Sequence, residues 1–194
     1  MTREQSDKVY LALIIPAYNE ASRIKDTLHK ILDYLVPQSY SWEVIVVDDG
    51  STDSTADLVR YVSKVEPHIR LISTVHRGKG WAVGIGMLDT NAEYRFLCDA
   101  DLSMPIEQLY RFLPPTCSDY DIAIGSREIE GSNRIGEPAS RHVMGRIYNV
   151  LVRYLAVPGI SDTQCGFKMI KGAVADKLFS NQKIQGFAFD VELL

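Results

Sequence analysis

The sequence predicts an α/β protein in which helices cover both faces of a mostly parallel sheet. Five short segments rich in Val and Ile are almost continuously apolar, which is typical of strands buried on both faces. Segments with helical periodicity separate them, and repeated alternation of strand and helix favours parallel pairing. The predicted strands are residues 10–16, 42–49, 69–75, 94–101 and 120–126.

Apolar residues spaced three or four apart define the intervening helices. In the first helix they are Ile24, Leu28, Ile31, Leu32 and Leu35. In the second they are Leu58, Val59, Val62 and Val65, with Asp53 or Ser54 as the expected N-cap. The Gly- and Ser-rich stretch 127–138 is expected to be a functional loop.

Length and composition restrict the class of protein. A chain of 194 residues fits one domain. Its net charge of −4 argues against a nucleic-acid partner, and three widely spaced cysteines support neither a disulfide framework nor a zinc site. The apolar runs are all shorter than the roughly 18 residues that span a bilayer. The final residues, FAFDVELL, stop in mid-pattern, so we expect the natural protein to continue.

Polar clusters follow four of the five predicted strands. They are residues 16–20, Asp48 with Asp49, Asp99 with Asp101, and Arg127. Ligands of open α/β sheets bind beyond the carboxyl ends of the strands. The sequence therefore predicts one functional site at that edge of the sheet.

The stretch DADLSMP places Asp99 and Asp101 one residue apart. If the strand continues through them, both carboxylates point the same way and repel unless a cation lies between them. A hard divalent ion, Mg²⁺ or Mn²⁺, that also holds substrate phosphates fits this pattern. The alternative is a loop acid and a helix cap, for which Ser103 is also suited.

The stretch VVDDGSTDST presents Asp48 or Asp49 at the sheet edge. A carboxylate there can accept hydrogen bonds from a nucleobase N–H or from ribose hydroxyls. The alternative is turn and capping chemistry, which the following Gly, Ser and Asp residues serve well. The sequence alone leaves both interpretations open.

The stretch IIPAYNEASRI follows the first strand. Pro16 fixes the backbone that leaves the strand, Tyr18 offers a ring for a base, and Glu20 lies near the next helix. The alternative is a capped helix in which Asn19 is the N-cap and Glu20 favours the helix dipole.

The stretch HRGKGWAVGIGM resembles two nucleotide-binding motifs without matching either. Gly78, Gly80 and Val83 approach the dinucleotide fingerprint, but they follow the third strand instead of the first. A Walker loop requires Ser or Thr after Lys79. The turn can still meet a diphosphate through backbone N–H groups, aided by Arg77 or Lys79. The alternative is close helix–sheet packing by small residues.

A further helix is predicted over residues 140–157. His142, Arg146, Asn149 and Arg153 form a basic stripe beside an apolar one. Such a helix lies on an anionic membrane surface or receives a phosphorylated apolar ligand, unless it is an ordinary surface helix. Further along the chain there are three isolated charged residues, Asp162, Lys168 and Asp190. On their own, they are interpreted as turn or cap residues.

Seven motifs in order resemble glycosyltransferase family 2. They are PAYNE, VVDDGSTDST, RGKGWAVGIGM, DADLSMP, GSR, DTQCGFK and FDVELL, and the resemblance covers residues 13–194. Within the family, the chain is most similar to the polyprenyl-phosphate sugar transferases, especially the dolichyl-phosphate β-glucosyltransferases. The resemblance implies a single GT-A catalytic domain over residues 1–194, a divalent metal (Mg²⁺ or Mn²⁺), and inverting transfer of glucose from UDP-glucose to a polyprenyl phosphate.

The resemblance also implies roles for individual residues. The nucleotide pocket would contain Pro16, Tyr18, Glu20, Asp48 and Asp49. The diphosphate end would contain Lys79, Asp99, Ala100 and Asp101, with Asp99 and Asp101 holding the metal and Asp101 the more direct ligand. Ser103 stands where mannosyl relatives have a metal-binding Gln. Arg127 and Lys168 would contact the donor diphosphate or the acceptor phosphate. We further hypothesise that Arg127, Arg141 and Arg146 bind the acceptor, and that Asp162 or Asp190 orients it or acts as a weak base.

The implied location is the cytoplasmic face of a membrane, that of the endoplasmic reticulum in a eukaryote, through peripheral contact. Two alternatives lie within the family: a GDP-mannose-dependent polyprenyl-phosphate mannosyltransferase and a transferase that builds a polysaccharide. A third is a nucleotide-binding module without catalysis.

Overall fold

The computed structural model describes residues 8–125 and 165–194. The strands are β1 (Leu11–Ala17), β2 (Trp42–Asp48), β3 (Ile69–Ser73), β4 (Tyr94–Leu97), β5 (Ile122–Ile124) and β6 (Lys168–Lys171). The helices are α1 (Ile24–Leu35), α2 (Thr55–Ser63), α3 (Lys79–Leu88), α4 (Gly172–Ser180) and α5 (Phe189–Leu193), and a 3₁₀ helix covers Ile106–Phe112.

The strands form one six-stranded sheet in the order β3-β2-β1-β4-β6-β5. The pairs β3–β2, β2–β1 and β1–β4 are parallel, which confirms the predicted fold class. Strand β6 lies between β4 and β5 and runs antiparallel to both. The interpretation of Lys168 as a turn or cap residue is wrong, because Lys168 begins β6 and pairs with Leu97.

Both faces of the sheet are covered, as the continuous apolar strands predict. In β1, Leu11, Leu13 and Ile15 pack with the apolar sides of α1, α2 and the 3₁₀ helix. The alternate residues Ala12 and Ile14 pack with α3, α4 and α5. This period of two places one helical layer on each side of β1.

Strand β4 ends before the paired aspartates. The expected strand over residues 94–101 stops at Leu97, and the chain then turns. The N–H of Leu102 donates to the carbonyl oxygen of Asp99 over 3.1 Å, and Leu102 has a φ of 46°. Asp99 and Asp101 are therefore presented by a turn and not by the alternation of a strand.

The loops after β1 and β2 are joined to each other. Asn19, expected as an N-cap, has a φ of 55° and lies several residues before α1, whose N-cap is Arg23. Its N–H donates to Ser51 Oγ over 2.9 Å, and its Oδ1 accepts from the N–H of Thr52 over 2.9 Å. The interpretation of Asn19 as an N-cap is wrong, because α1 begins only at Ile24. Asn19 instead fixes one loop against the other.

Candidate functional site

A cavity of about 720 Å³ lies at the carboxyl ends of the parallel strands. The predicted site residues that line it are Pro16, Tyr18, Glu20, Asp49, Lys79, Asp99, Ala100 and Asp101. Three of the four polar clusters therefore converge, as the position of the clusters along the strands predicts. Four other predicted site residues lie outside the described residues: Arg127, Arg141, Arg146 and Asp162.

Several carboxylates line the cavity, among them those of Asp99 and Asp101. Lys79 Nζ lies 2.7 Å from Asp99 Oδ1, so Asp99 has a positive partner in this structure. Asp101 is exposed, and its Oδ1 accepts from the N–H of Ser103 over 2.9 Å and from Ser103 Oγ over 2.7 Å. Ser103 itself does not line the cavity, and its hydroxyl orients the carboxylate of Asp101.

Glu20 lies close enough to these aspartates for their charges to affect its pKa. Burial raises the pKa of Glu20, Arg23 opposes this, and the charges of Asp101 and Asp99 raise it further. Arg23 Nε lies 2.8 Å from Glu20 Oε2. In residues 8–125 and 165–194, no cluster of three or more Asp, Glu, His and Cys side chains has the arrangement of a metal site.

Asp49 organises the turn that precedes α3. Its Oδ1 accepts from the N–H of Arg77 over 3.0 Å, and its Oδ2 accepts from the N–H of Gly78 over 2.9 Å. The turn was expected to meet a diphosphate through backbone N–H groups, and in this structure the N–H groups of Arg77 and Gly78 donate to Asp49. Gly78 has a φ of 111°, which favours glycine at this position. Lys79 reaches the cavity through its side chain instead.

A stacked aromatic pair also lines the cavity. The rings of Tyr18 and His76 are stacked, with centroids 4.1 Å apart and an interplanar angle of 21°. His76 Nδ1 lies 2.8 Å from Asp49 Oδ2, so Asp49 holds the edge of the His76 ring. Asp48 is buried outside the cavity, and its Oδ1 accepts from the N–H of Ser51 over 3.3 Å.

Lys168 and Asp190 form a buried ion pair behind Asp99. Lys168 Nζ lies 2.6 Å from Asp190 Oδ1, and their side chains are 1% and 6% exposed. Neither residue lines the cavity, contrary to the predicted contact of Lys168 with phosphate. Burial raises the pKa of Asp190, and the ammonium of Lys168 opposes that shift.

Sequence reasoning missed several residues of the site. Arg23, His76 and Phe187 line the cavity. Arg23 lies in the stretch IIPAYNEASRI and His76 in HRGKGWAVGIGM, but the spacing of residues in these stretches did not distinguish either one as a site residue. Gly166 is the clearest omission, because a Cβ on it would lie 1.9 Å from Asp99 Oδ2. A glycine beside the Cys165 of DTQCGFK was the available signal for this close approach.

Within the described ranges, no helix combines the length and the apolarity needed to cross a bilayer. The helix predicted over residues 140–157 lies outside those ranges.

Comparison with known proteins identifies relatives along nearly the whole chain. The chain is 37% identical to dolichyl-phosphate beta-glucosyltransferase ALG5C of Trichomonas vaginalis, over 96% of this chain and 59% of that protein. It is 35% identical to dolichyl-phosphate beta-glucosyltransferase of Dictyostelium discoideum, over 97% of this chain and 62% of that protein. The chain thus spans about three fifths of the length of these relatives.

The fold is also found among solved structures. Glucosyl-3-phosphoglycerate synthase from Mycobacterium tuberculosis, in complex with Mn²⁺, UDP-glucose and phosphoglyceric acid, superposes with a TM-score of 0.67 at 18% identity. The match covers 95% of this chain and 64% of that one, and it confirms the GT-A type fold. The model of the glycosyl transferase family 2 matches residues 12–179, and the chain belongs to that family.

Proposed function

We propose that this chain is the catalytic domain of a transferase that moves glucose from UDP-glucose to a polyprenyl phosphate, with inversion at the anomeric carbon. The observation that carries the proposal is a cavity lined both by the stacked rings of Tyr18 and His76 and by Lys79, Asp99 and Asp101. A nucleoside diphosphate carries the matching groups, a flat base and an anionic tail. The names of the two curated relatives favour glucose as the sugar and dolichyl phosphate as the acceptor.

The residues present fit a divalent cation, Mg²⁺ or Mn²⁺, at Asp99 and Asp101. Such ions are commonly held by one or two carboxylates together with substrate phosphates and water, so a cluster of three protein ligands is not required. Asp101 is exposed to the cavity, whereas Asp99 is paired with Lys79. We therefore assign Asp101 as the more direct ligand and Ser103 as the residue that orients it. When bound, the ion would supply Lewis-acid neutralisation of the leaving diphosphate.

Charge development in the reaction is consistent with these residues. Cleavage of the glycosyl–diphosphate bond leaves positive charge on the sugar and negative charge on UDP. Lys79 can stabilise that negative charge because its ammonium lines the cavity beside the proposed metal-binding carboxylates. A phosphate monoester is already anionic near neutral pH, with a second pKa of about 6, so the acceptor requires positioning more than deprotonation.

The residues that we propose to bind the acceptor lie outside the described residues. We propose that Arg127, Arg141 and Arg146 bind the acceptor phosphate and that residues 140–157 contact the cytoplasmic face of a membrane. This membrane would be the endoplasmic reticulum in a eukaryote. Of the two aspartates considered for orienting the acceptor, Asp190 is 4% exposed and paired with Lys168, which favours Asp162.

A donor screen tests the proposal. Full-length protein is incubated with dolichyl phosphate and Mn²⁺, and with UDP-glucose or GDP-mannose in parallel. We expect glucosyl transfer from UDP-glucose and little transfer from GDP-mannose. Preferential mannosyl transfer would instead identify a mannosyltransferase. A preference for NAD in binding, without metal-dependent turnover of either donor, would indicate a nucleotide-binding module.

The stacked ring of Tyr18 leads to a prediction about the binding of the donor. Tyr18→Leu should raise the KM for UDP-glucose about tenfold with little change in kcat, because stacking on a base contributes about 1–3 kcal/mol in ground and transition states alike. Steady-state kinetics measure both constants. Tyr18→Phe is the matched control and should retain the wild-type KM. An unchanged KM in the Leu variant would remove Tyr18 from the base site.

A further inference from the structure

The Lys168–Asp190 pair is buried outside the cavity and close enough to Asp99 to interact with its charge. Besides Asp190, the ammonium of Lys168 donates to the carbonyl oxygen of Cys165 over 2.7 Å. Lys168 begins β6, Asp190 lies in α5, and Cys165 stands three residues before Lys168. One buried ammonium thus ties together a strand, a helix and the turn that leads into the strand.

That turn forms the wall against which Asp99 packs. A Cβ on Gly166 would lie 1.9 Å from Asp99 Oδ2 and 2.4 Å from its Cγ, so the backbone at residue 166 approaches the carboxylate closely. The next residue, Phe167, is buried, and its ring contacts Phe96 edge-on at a centroid distance of 5.0 Å. The turn is therefore held by the packing of Phe167 and by the hydrogen bond from Lys168 to the carbonyl oxygen of Cys165.

The two ion pairs of this region also interact electrostatically. The charge of Lys79 lowers the pKa of Asp190, and the charge of Asp99 raises it, in addition to the larger effects of burial and of Lys168. The buried pair and the Lys79–Asp99 pair at the cavity therefore lie within each other's electric field. A change in either is expected to alter the other.

We propose that Lys168 and Asp190 are positioning residues, whose ion pair holds the turn at residues 165–167 against Asp99 and so fixes that carboxylate for the diphosphate end of the donor. This inference rests on the proposed function. It assigns to two buried residues an effect on donor binding that they exert through Cys165 and Gly166. Partners that orient ligand carboxylates typically change metal affinity or activity about 10- to 100-fold when they are removed.

A purely structural role for the pair makes a different prediction. Removing one member of a buried ion pair leaves an uncompensated charge and destabilises the fold, whereas replacing both by apolar residues of similar size is often close to neutral. The double variant Lys168→Met/Asp190→Leu thus separates the two roles. It removes the bond to the carbonyl of Cys165 without leaving a buried charge.

The test compares the full chain with Lys168→Met, with Asp190→Leu and with the double variant. Urea unfolding gives stability, and calorimetry gives the Kd for UDP in the presence of Mn²⁺. We expect both single variants to be less stable and the double variant to recover much of that loss. The double variant should still bind UDP about 10- to 100-fold more weakly than wild type in Mn²⁺.

The Arg95–Asp176 pair is the matched control. It joins β4 to α4 at a distance of 2.6 Å, and the side chain of Arg95 is 3% exposed. Neither residue lines the cavity. Asp176→Asn should change the unfolding midpoint at most, with the wild-type Kd for UDP.

A folded double variant with the wild-type Kd would overturn the positioning role while leaving the proposed function intact. If the double variant does not fold, Lys168→Met/Asp190→Asn decides the question, since it also removes the bond to Cys165 and leaves a neutral side chain close in shape to Asp190. A wild-type Kd in that variant would likewise overturn the inference, and a weaker Kd at wild-type stability would support it. Wild-type protein that binds no UDP would overturn both the inference and the proposed function.

Discussion

Replacing Asp101 by Asn should lower kcat for glucosyl transfer about a thousandfold, equivalent to about 4 kcal/mol of transition-state stabilisation. The change removes the carboxylate that is proposed as the more direct ligand of the divalent ion, and with it the neutralisation of the leaving diphosphate. Because Asp101 is exposed and its amide counterpart is isosteric, the fold should be unaffected. Steady-state kinetics with UDP-glucose and dolichyl phosphate measure the effect, and the unfolding midpoint verifies the fold.

The control for Asp101 is another exposed aspartate of the same domain. Asp26 lies in the first turn of α1 and does not line the cavity. Asp26→Asn should therefore retain the wild-type kcat. Equal and small effects of both substitutions would show that Asp101 contributes nothing beyond surface charge, contrary to its proposed role.

Replacing Gly166 by Ala should reduce activity about a hundredfold. The new Cβ would lie 1.9 Å from Asp99 Oδ2, so the carboxylate or the turn must move. A displacement of about 1 Å in a positioned group can cost on the order of a hundredfold in rate. Kinetics and calorimetry with UDP and Mn²⁺ should show the loss in both kcat and affinity.

Gly186→Ala provides the matched control for Gly166→Ala. A Cβ on Gly186 meets no heavy atom within 4 Å, although the residue lies next to Phe187 at the cavity. This variant should behave as wild type in activity and in stability. Wild-type activity in Gly166→Ala as well would mean that the exact position of Asp99 is unimportant, and the role of the turn at residues 165–167 would be lost with it.

The fold was largely predictable because its signals are local. The sequence of β1 is one apolar run because residues on both of its faces are buried. In α1, apolar residues recur at helical spacing because one face of the helix is buried. Strand β6 was not predictable in this way. Its four residues, KMIK, begin and end in lysine, and it enters the sheet between β4 and β5, which precede it by many residues.

The site was predictable in place but less so in detail. The rule that ligands bind at the carboxyl ends of parallel strands located Asp99 and Asp101 at the cavity. The bonds from Asp49 to the amides of Arg77 and Gly78 depend on how the two loops fold together, and no periodicity encodes them. The burial of Lys168 depends likewise on Asp190, which is 22 residues away in sequence.

The most direct test of the account is a crystal structure of the full chain with Mn²⁺ and UDP. The account predicts anomalous density for manganese beside the carboxylate of Asp101, in contact with the diphosphate, and the uracil ring near Tyr18. UDP bound in the cavity with no ion at Asp99 or Asp101, under conditions that support transfer, would contradict it.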